Sequence, residues 1–128
     1  MSANLIGTLQ KSKRVNHLER ELTILNMPMA LKALEAIQRD MSTGKFVRHD
    51  NTPYYLHCVD VTLHLINMGF REGYEDLLTA SLLHDYAEDV EGITIELIRQ
   101  VYSNEVAEIV AVVTKKKGIN YHVQNVLI

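Results

Sequence analysis

The stretch "LLHDYAEDV", residues 82–90, places four ionisable side chains in an otherwise apolar segment: His84, Asp85, Glu88 and Asp89. Burying a charged group without a partner is costly, so the charges in this segment call for an explanation. At 100° per residue in an α-helix, the four side chains project within one arc of about 140°. The stretch therefore predicts a largely buried helix that carries one concentrated cluster of an imidazole and three carboxylates.

The apolar spacing outside this stretch also predicts helices. The segment from about residue 75 to 90 is apolar nearly all the way round, which is typical of a central, buried helix. Helical spacing continues over residues 15–26, 28–41 and 53–69, and a last helix is expected from about residue 120. No segment shows convincing strand alternation. We therefore expect an all-α bundle of about six to seven helices.

Several residues are suited to begin or end these helices. Pro28 and Pro53 fit a first helical turn, where the missing N–H of proline would have no partner in any case. Thr94 and Ser103 are good N-caps for a fifth and a sixth helix. Gly118 is the expected end of the sixth helix.

Length and composition limit the class of protein. The chain has 128 residues, which fits a single domain over residues 1–128. A net charge of −3 does not suggest a nucleic-acid or membrane-surface binder, and we expect neither partner. The only cysteine is Cys58, so neither a disulfide framework nor a cysteine-based zinc site is expected. A reduced, cytoplasmic setting follows as the natural expectation.

The acidic cluster suggests a metal site. Three carboxylates so close to one another would repel, and a bound cation would remove that repulsion. Imidazole and carboxylate together suit a divalent ion such as Mn²⁺, Fe²⁺ or Zn²⁺, and His57 on the preceding helix offers a second imidazole. Other interpretations stay open, since an adjacent His–Asp pair is often structural and Glu88 and Asp89 could simply face water at a helix end.

The ordered motifs "KFVRHDNTPY", "LHCVDV", "ASLLHDYAEDV", "GITIELIRQVYSNEVAEIV" and "VTK" resemble the HD-domain hydrolases, most closely the RelA/SpoT-type alarmone hydrolases. The resemblance covers about residues 44–117, with residues 1–27 as an N-terminal helix or extension. It implies an all-helical HD fold that holds one Mn²⁺ ion. It also implies a reaction that removes the 3′-pyrophosphate from guanosine tetra- or pentaphosphate, so that the partner would be a small nucleotide substrate.

The resemblance assigns roles by position. His57, His84 and Asp85 would be metal ligands, and Glu88 and Asp89 would handle the attacking water. The substrate-binding residues would be one arginine against the guanine base, one tyrosine near the nucleotide and two lysines for phosphate, namely Arg48, Tyr54, Lys45 and Lys115.

One family feature is absent from this sequence. Family members take a further aspartate ligand from a segment after "VTK", but the residues "GINYHVQNVLI" that follow Lys117 contain no Asp or Glu. Asp50 and Asp60 are alternative ligands. We expect a C-terminally truncated domain, and the alternative is a natural short member that binds metal weakly and has another role. Loss of the last helices would expose apolar surface and favour a homo-oligomer. Two alternative functions stay open. The protein could be an HD phosphohydrolase that acts on another nucleotide, or a non-catalytic nucleotide-binding or interaction module.

Overall fold

The computed structural model describes residues 3–42, 44–47 and 52–114, with side chains from residue 13 onward. Within these ranges every regular element is a helix, apart from an isolated antiparallel bridge between Val47 and Pro53. The predicted all-α fold is confirmed. The described helices are α1 (Ala3–Ile24), α2 (Pro28–Asp40), a 3₁₀ turn (Gly44–Phe46), α3 (Tyr55–Asn67), α4 (Glu75–Asp89), α5 (Ile95–Val101) and α6 (Asn104–Val113).

Helix α4 is the centre of the bundle, as its apolar composition predicted. It packs against α2, α3 and α6, and its residues Leu78, Leu82 and Leu83 are fully buried. Helix α1 lies on α2 and α3, and α5 lies on α6. Because α4 has a neighbour on several sides, its middle residues are buried, whereas Glu75 and Asp76 at its start and Glu88 and Asp89 at its end are half-buried.

The expected helix starts are largely confirmed. Pro28 opens α2, and the hydroxyls of Thr94 and Ser103 accept hydrogen bonds from the backbone N–H groups of Leu97 and Val106, each at 3.0 Å. Each of these bonds satisfies a first-turn N–H that the helix itself leaves without a partner.

Three boundaries differ from the prediction. Helix α1 begins at Ala3 rather than near residue 15, because the polar stretch "QKSKR" at residues 10–14 separates its first apolar residues from Val15 and interrupts the apolar spacing. Pro53 pairs with Val47, and α3 begins at Tyr55. Helix α6 ends at Val113 rather than at Gly118, with Thr114 in an extended conformation. The run of β-branched residues there has low helix propensity. The predicted last helix lies outside the described residues.

Two buried hydroxyl groups join α3 to α4 close to His84 and Asp85. The Thr62 and Ser81 hydroxyl oxygens are 2.7 Å apart, and both residues are buried. Thr62 also lies within hydrogen-bond distance of the Cys58 carbonyl, and Ser81 of the Leu78 carbonyl. Because each hydroxyl has one proton, one of them donates to the other, which in turn donates to a carbonyl of its own helix. This contact helps to set how α3 and α4 face each other.

In the part of the chain that the structure describes, no helix is long and apolar enough to cross a membrane.

Candidate metal centre

Three predicted ligands, His57, His84 and Asp85, meet where the first turn of α3 faces the last turns of α4. One ligand atom from each of the three residues lies within 4.8 Å of the others. His57 is exposed, His84 is half-buried and Asp85 is buried, so the cluster forms a shallow site with one side open to solvent. Ligand atoms lie ~2.0–2.2 Å from a bound zinc-like ion, so small side-chain adjustments would let one ion contact all three.

The orientation of the His84 ring follows from its hydrogen bond. Nδ1 lies 2.8 Å from the Ser81 carbonyl oxygen, which can only accept, so Nδ1 carries a proton. Nε2 lies 3.2 Å from Asp85 Oδ1. In the neutral ring Nε2 is also an acceptor, and two acceptors this close repel unless a proton or a cation lies between them. A histidine with one nitrogen held by a carbonyl and the other directed at a carboxylate is suited to bind a divalent cation.

The surroundings of His57 extend the site toward the loop before α3. The His57 ring lies 6.5 Å from the His84 ring and 6.0 Å from the Tyr54 ring, measured between centroids. The two imidazoles come from different helices, and the contact between α3 and α4 brings them together. Tyr54, for which the family resemblance implies a place near a nucleotide, therefore borders the cluster.

The two predicted acidic residues lie one turn beyond the ligands on α4. Glu88 and Asp89 are both half-buried. Asp89 lines a groove of about 290 Å³ together with Lys45, Phe46 and Tyr54. A carboxylate, an ammonium group and an aromatic ring thus border one open space beside the metal ligands.

Local structure holds that groove in shape. The Tyr54 N–H donates to the Phe46 carbonyl at 2.6 Å, and Val47 pairs with Pro53, so Phe46 and Val47 are held beside the start of α3. The Lys45 ammonium lies 5.2 Å from the centre of the Phe46 ring. Two further predicted substrate residues, Arg48 and Lys115, lie outside the described residues.

One of the two alternatives for the fourth ligand has a different role. Asp60 accepts a hydrogen bond from Arg14 at 2.7 Å and lies outside the metal-ligand cluster. It ties α1 to α3 instead. Asp50 is not among the described residues. Within the described residues, the cluster therefore offers three ligands.

The sequence alone missed the role of Cys58. The thiol was expected to be a small buried group, and it is fully buried, but Sγ also lies 3.5 Å from Asp85 Oδ2. Burial and the neighbouring Asp85 carboxylate hold the pKa of the Cys58 thiol well above its ordinary value. Its position next to His57 in the sequence was the only available signal, and it was a weak one.

A second cavity lies on the other side of α4. It measures about 520 Å³ and is bordered by α2, α5 and Tyr86. The metal ligands do not line it. The pairing of Tyr86 with Asp40 there was also absent from the sequence prediction.

The sequence that forms this site also matches a known protein family. Residues 31–125, which are most of the chain and contain the whole cluster, match the sequence model of the family described as HD domain. No curated protein and no solved structure shows a significant match.

Proposed function

The chain belongs to the HD-domain family, and we propose that it removes the 3′-pyrophosphate from guanosine tetra- or pentaphosphate with the help of a bound Mn²⁺ ion. Family membership itself indicates a metal-dependent phosphohydrolase in general. The guanosine substrate and the choice of Mn²⁺ are supported by the resemblance of the ordered motifs to RelA/SpoT-type hydrolases.

The observation that carries the proposal is the meeting of His57, His84 and Asp85 within 4.8 Å. Three ligands leave further coordination positions open for water and substrate, as catalytic sites require. A divalent ion bound there would lower the pKa of a bound water from ~15.7 toward ~7.

The residues beside the ligands have the chemistry for the remaining tasks. Glu88 and Asp89 can hold or move a proton at the attacking water or the leaving oxygen, since both carboxylates lie one turn beyond the ligands. Lys45 offers a positive charge to a phosphate group across the groove that it shares with Asp89. Tyr54 offers a ring and a hydroxyl at the same groove.

The test is a paired measurement of metal content and hydrolysis. We expect the wild-type chain to retain about one equivalent of Mn²⁺ and to release pyrophosphate from guanosine tetraphosphate, and Asp85→Ala to lose both. Glu88→Gln is expected to keep the metal and to lose ~10²–10⁴-fold in turnover, the usual contribution of an acid–base group. Glu91→Gln, on an exposed residue just after α4, is the matched control.

The alternatives give different results in the same assays. Faster hydrolysis of a nucleotide without a 3′-phosphate would show that the protein is a phosphohydrolase with a different substrate. Binding of guanosine tetraphosphate without turnover would indicate a non-catalytic module. Full turnover in both Asp85→Ala and Glu88→Gln would refute the assignment of the site.

A further inference from the structure

Cys58 lies directly behind the metal ligands, on the side away from solvent. Its side chain is fully buried, whereas its neighbour His57 is exposed. The first turn of α3 therefore presents an imidazole toward the open side of the cluster and a thiol toward α4. Sγ lies 3.5 Å from Asp85 Oδ2, within the distance of a hydrogen bond that involves sulfur.

The two oxygens of Asp85 have different neighbours. Oδ1 lies 3.2 Å from His84 Nε2, on the side of the metal ligands, and Oδ2 faces the thiol. In this contact the thiol is the group that has a proton to give, because a carboxylate oxygen accepts and does not donate. A protonated thiol is a weak donor, and the carboxylate is the acceptor.

We propose that Cys58 is a positioning residue for the metal centre: its S–H donates to Asp85 Oδ2 and thereby keeps Oδ1 directed toward His84 and His57. The role rests on the proposed metal-dependent function. With Oδ2 held by the thiol, Asp85 would bind an ion through Oδ1, and rotation of its carboxylate group would be restricted. Partners of this kind fix the orientation of ligands in metal sites, and their loss weakens metal binding.

The hydrogen bond can be observed without any metal. Because Cys58 is the only cysteine in the chain, the S–H stretching band in an infrared or Raman spectrum belongs to it alone. We expect this band at a lower frequency in the wild-type apoprotein than in Asp85→Ala, where the acceptor is gone. Equal frequencies in the two proteins would overturn the proposal.

The same band distinguishes a positioning role from direct ligation. A neighbour that only orients Asp85 keeps its proton, so the band is expected to persist when Mn²⁺ is added. Disappearance of the band on addition of metal would show that the thiolate binds the ion, and would also overturn the proposal.

Metal affinity provides the second test. In calorimetric titrations with Mn²⁺, we expect Cys58→Ala to bind about tenfold more weakly than wild type, the lower end for such partners because a thiol is a weak donor. Cys58→Ser retains a donor and is expected to regain most of the affinity. Val59→Ala is the matched control, because Val59 is equally buried on the same turn and is apolar.

The outcomes separate this inference from the function on which it rests. Wild-type affinity in Cys58→Ala, or an equal loss in Val59→Ala, would refute the positioning role while metal binding stands. A wild-type chain that binds no divalent ion would remove the proposed function and this role with it, even if the spectra show the hydrogen bond.

Discussion

In the sequence, Tyr86 lies between the predicted ligand Asp85 and the acidic Glu88. Its side chain nevertheless projects from a different side of α4. It is roughly 200° from His84 around the helix axis. Its hydroxyl donates to Asp40 Oδ2 at 2.6 Å, and Asp40 also accepts from Arg39. The hydrogen bonds from Arg39 and Tyr86 lower the pKa of Asp40, while burial and the bond to Asp40 raise the pKa of Tyr86 to about 12. Adjacent residues of one motif thus lie on different sides of α4, with Asp85 in the candidate metal cluster and Tyr86 in the contact with α2.

The Tyr86→Phe variant tests this attachment. It removes one hydrogen bond to a partly exposed carboxylate, and we expect it to lower the free energy of unfolding by about 1 kcal/mol. The folded protein holds the Tyr86 proton to a higher pH than the unfolded chain. Tyr86 therefore contributes stability that is present below pH 10 and is lost as the pH rises toward about 12. Urea unfolding should show a steeper decline over this range in wild type than in the variant, and equal slopes would contradict the assignment.

The stability of helices α5 and α6 depends on the capping of their ends more than the stability of the longer helices does. They contain seven and ten residues, and helices this short are marginal in isolation. Each begins at a hydroxyl cap, Thr94 or Ser103, and α6 carries Ala107 and Val110 into contact with the core. Since α6 packs on α4, its correct start also supports the helix that carries the ligands.

We therefore expect Ser103→Ala to lower the free energy of unfolding by about 1 kcal/mol, the usual value of an N-cap hydroxyl. Ser103→Asp, which keeps an acceptor at this position, should remain close to wild type. Urea titration of the three proteins is the measurement. A similar loss in both variants would show that the cap bond to Val106 is not the cause.

At the scale of the whole molecule, the candidate metal centre takes its residues from two consecutive helices that the fold packs side by side. His57 lies on α3 and His84 on α4, and buried core residues of both helices pack behind them. A cation bound to both helices stabilises only the folded state, because the unfolded chain does not hold these ligands together. Binding of a metal ion at this cluster would therefore be coupled to folding.

This coupling predicts a metal-dependent stability. At a free Mn²⁺ concentration 100 times the Kd, we expect the free energy of unfolding to rise by about 2.7 kcal/mol. His84→Ala should lose this increase. His64→Ala should keep it, because His64 is an exposed histidine on α3 outside the cluster. Thermal unfolding with and without Mn²⁺ provides the measurement, and the same increase in both variants would place the ion elsewhere.

The sequence by itself determined the helices and the candidate ligands of α4. Helical periodicity and capping are local, because they depend on 100° of rotation per residue and on hydrogen bonds within one turn. The spacing of His84, Asp85, Glu88 and Asp89 is therefore enough to show that these side chains share one face of a helix. The polar stretch at residues 10–14 interrupts this signal within α1, which explains why the first residues of that helix were not predicted.

Only the tertiary structure decided how those side chains are used. The meeting of His57 with His84, the contact of Cys58 with Asp85 and the use of Asp60 as a partner of Arg14 all cross from one helix to another. Such contacts depend on how each helix is rotated and placed against its neighbour. That placement results from packing of the whole core rather than from the pattern within any single helix.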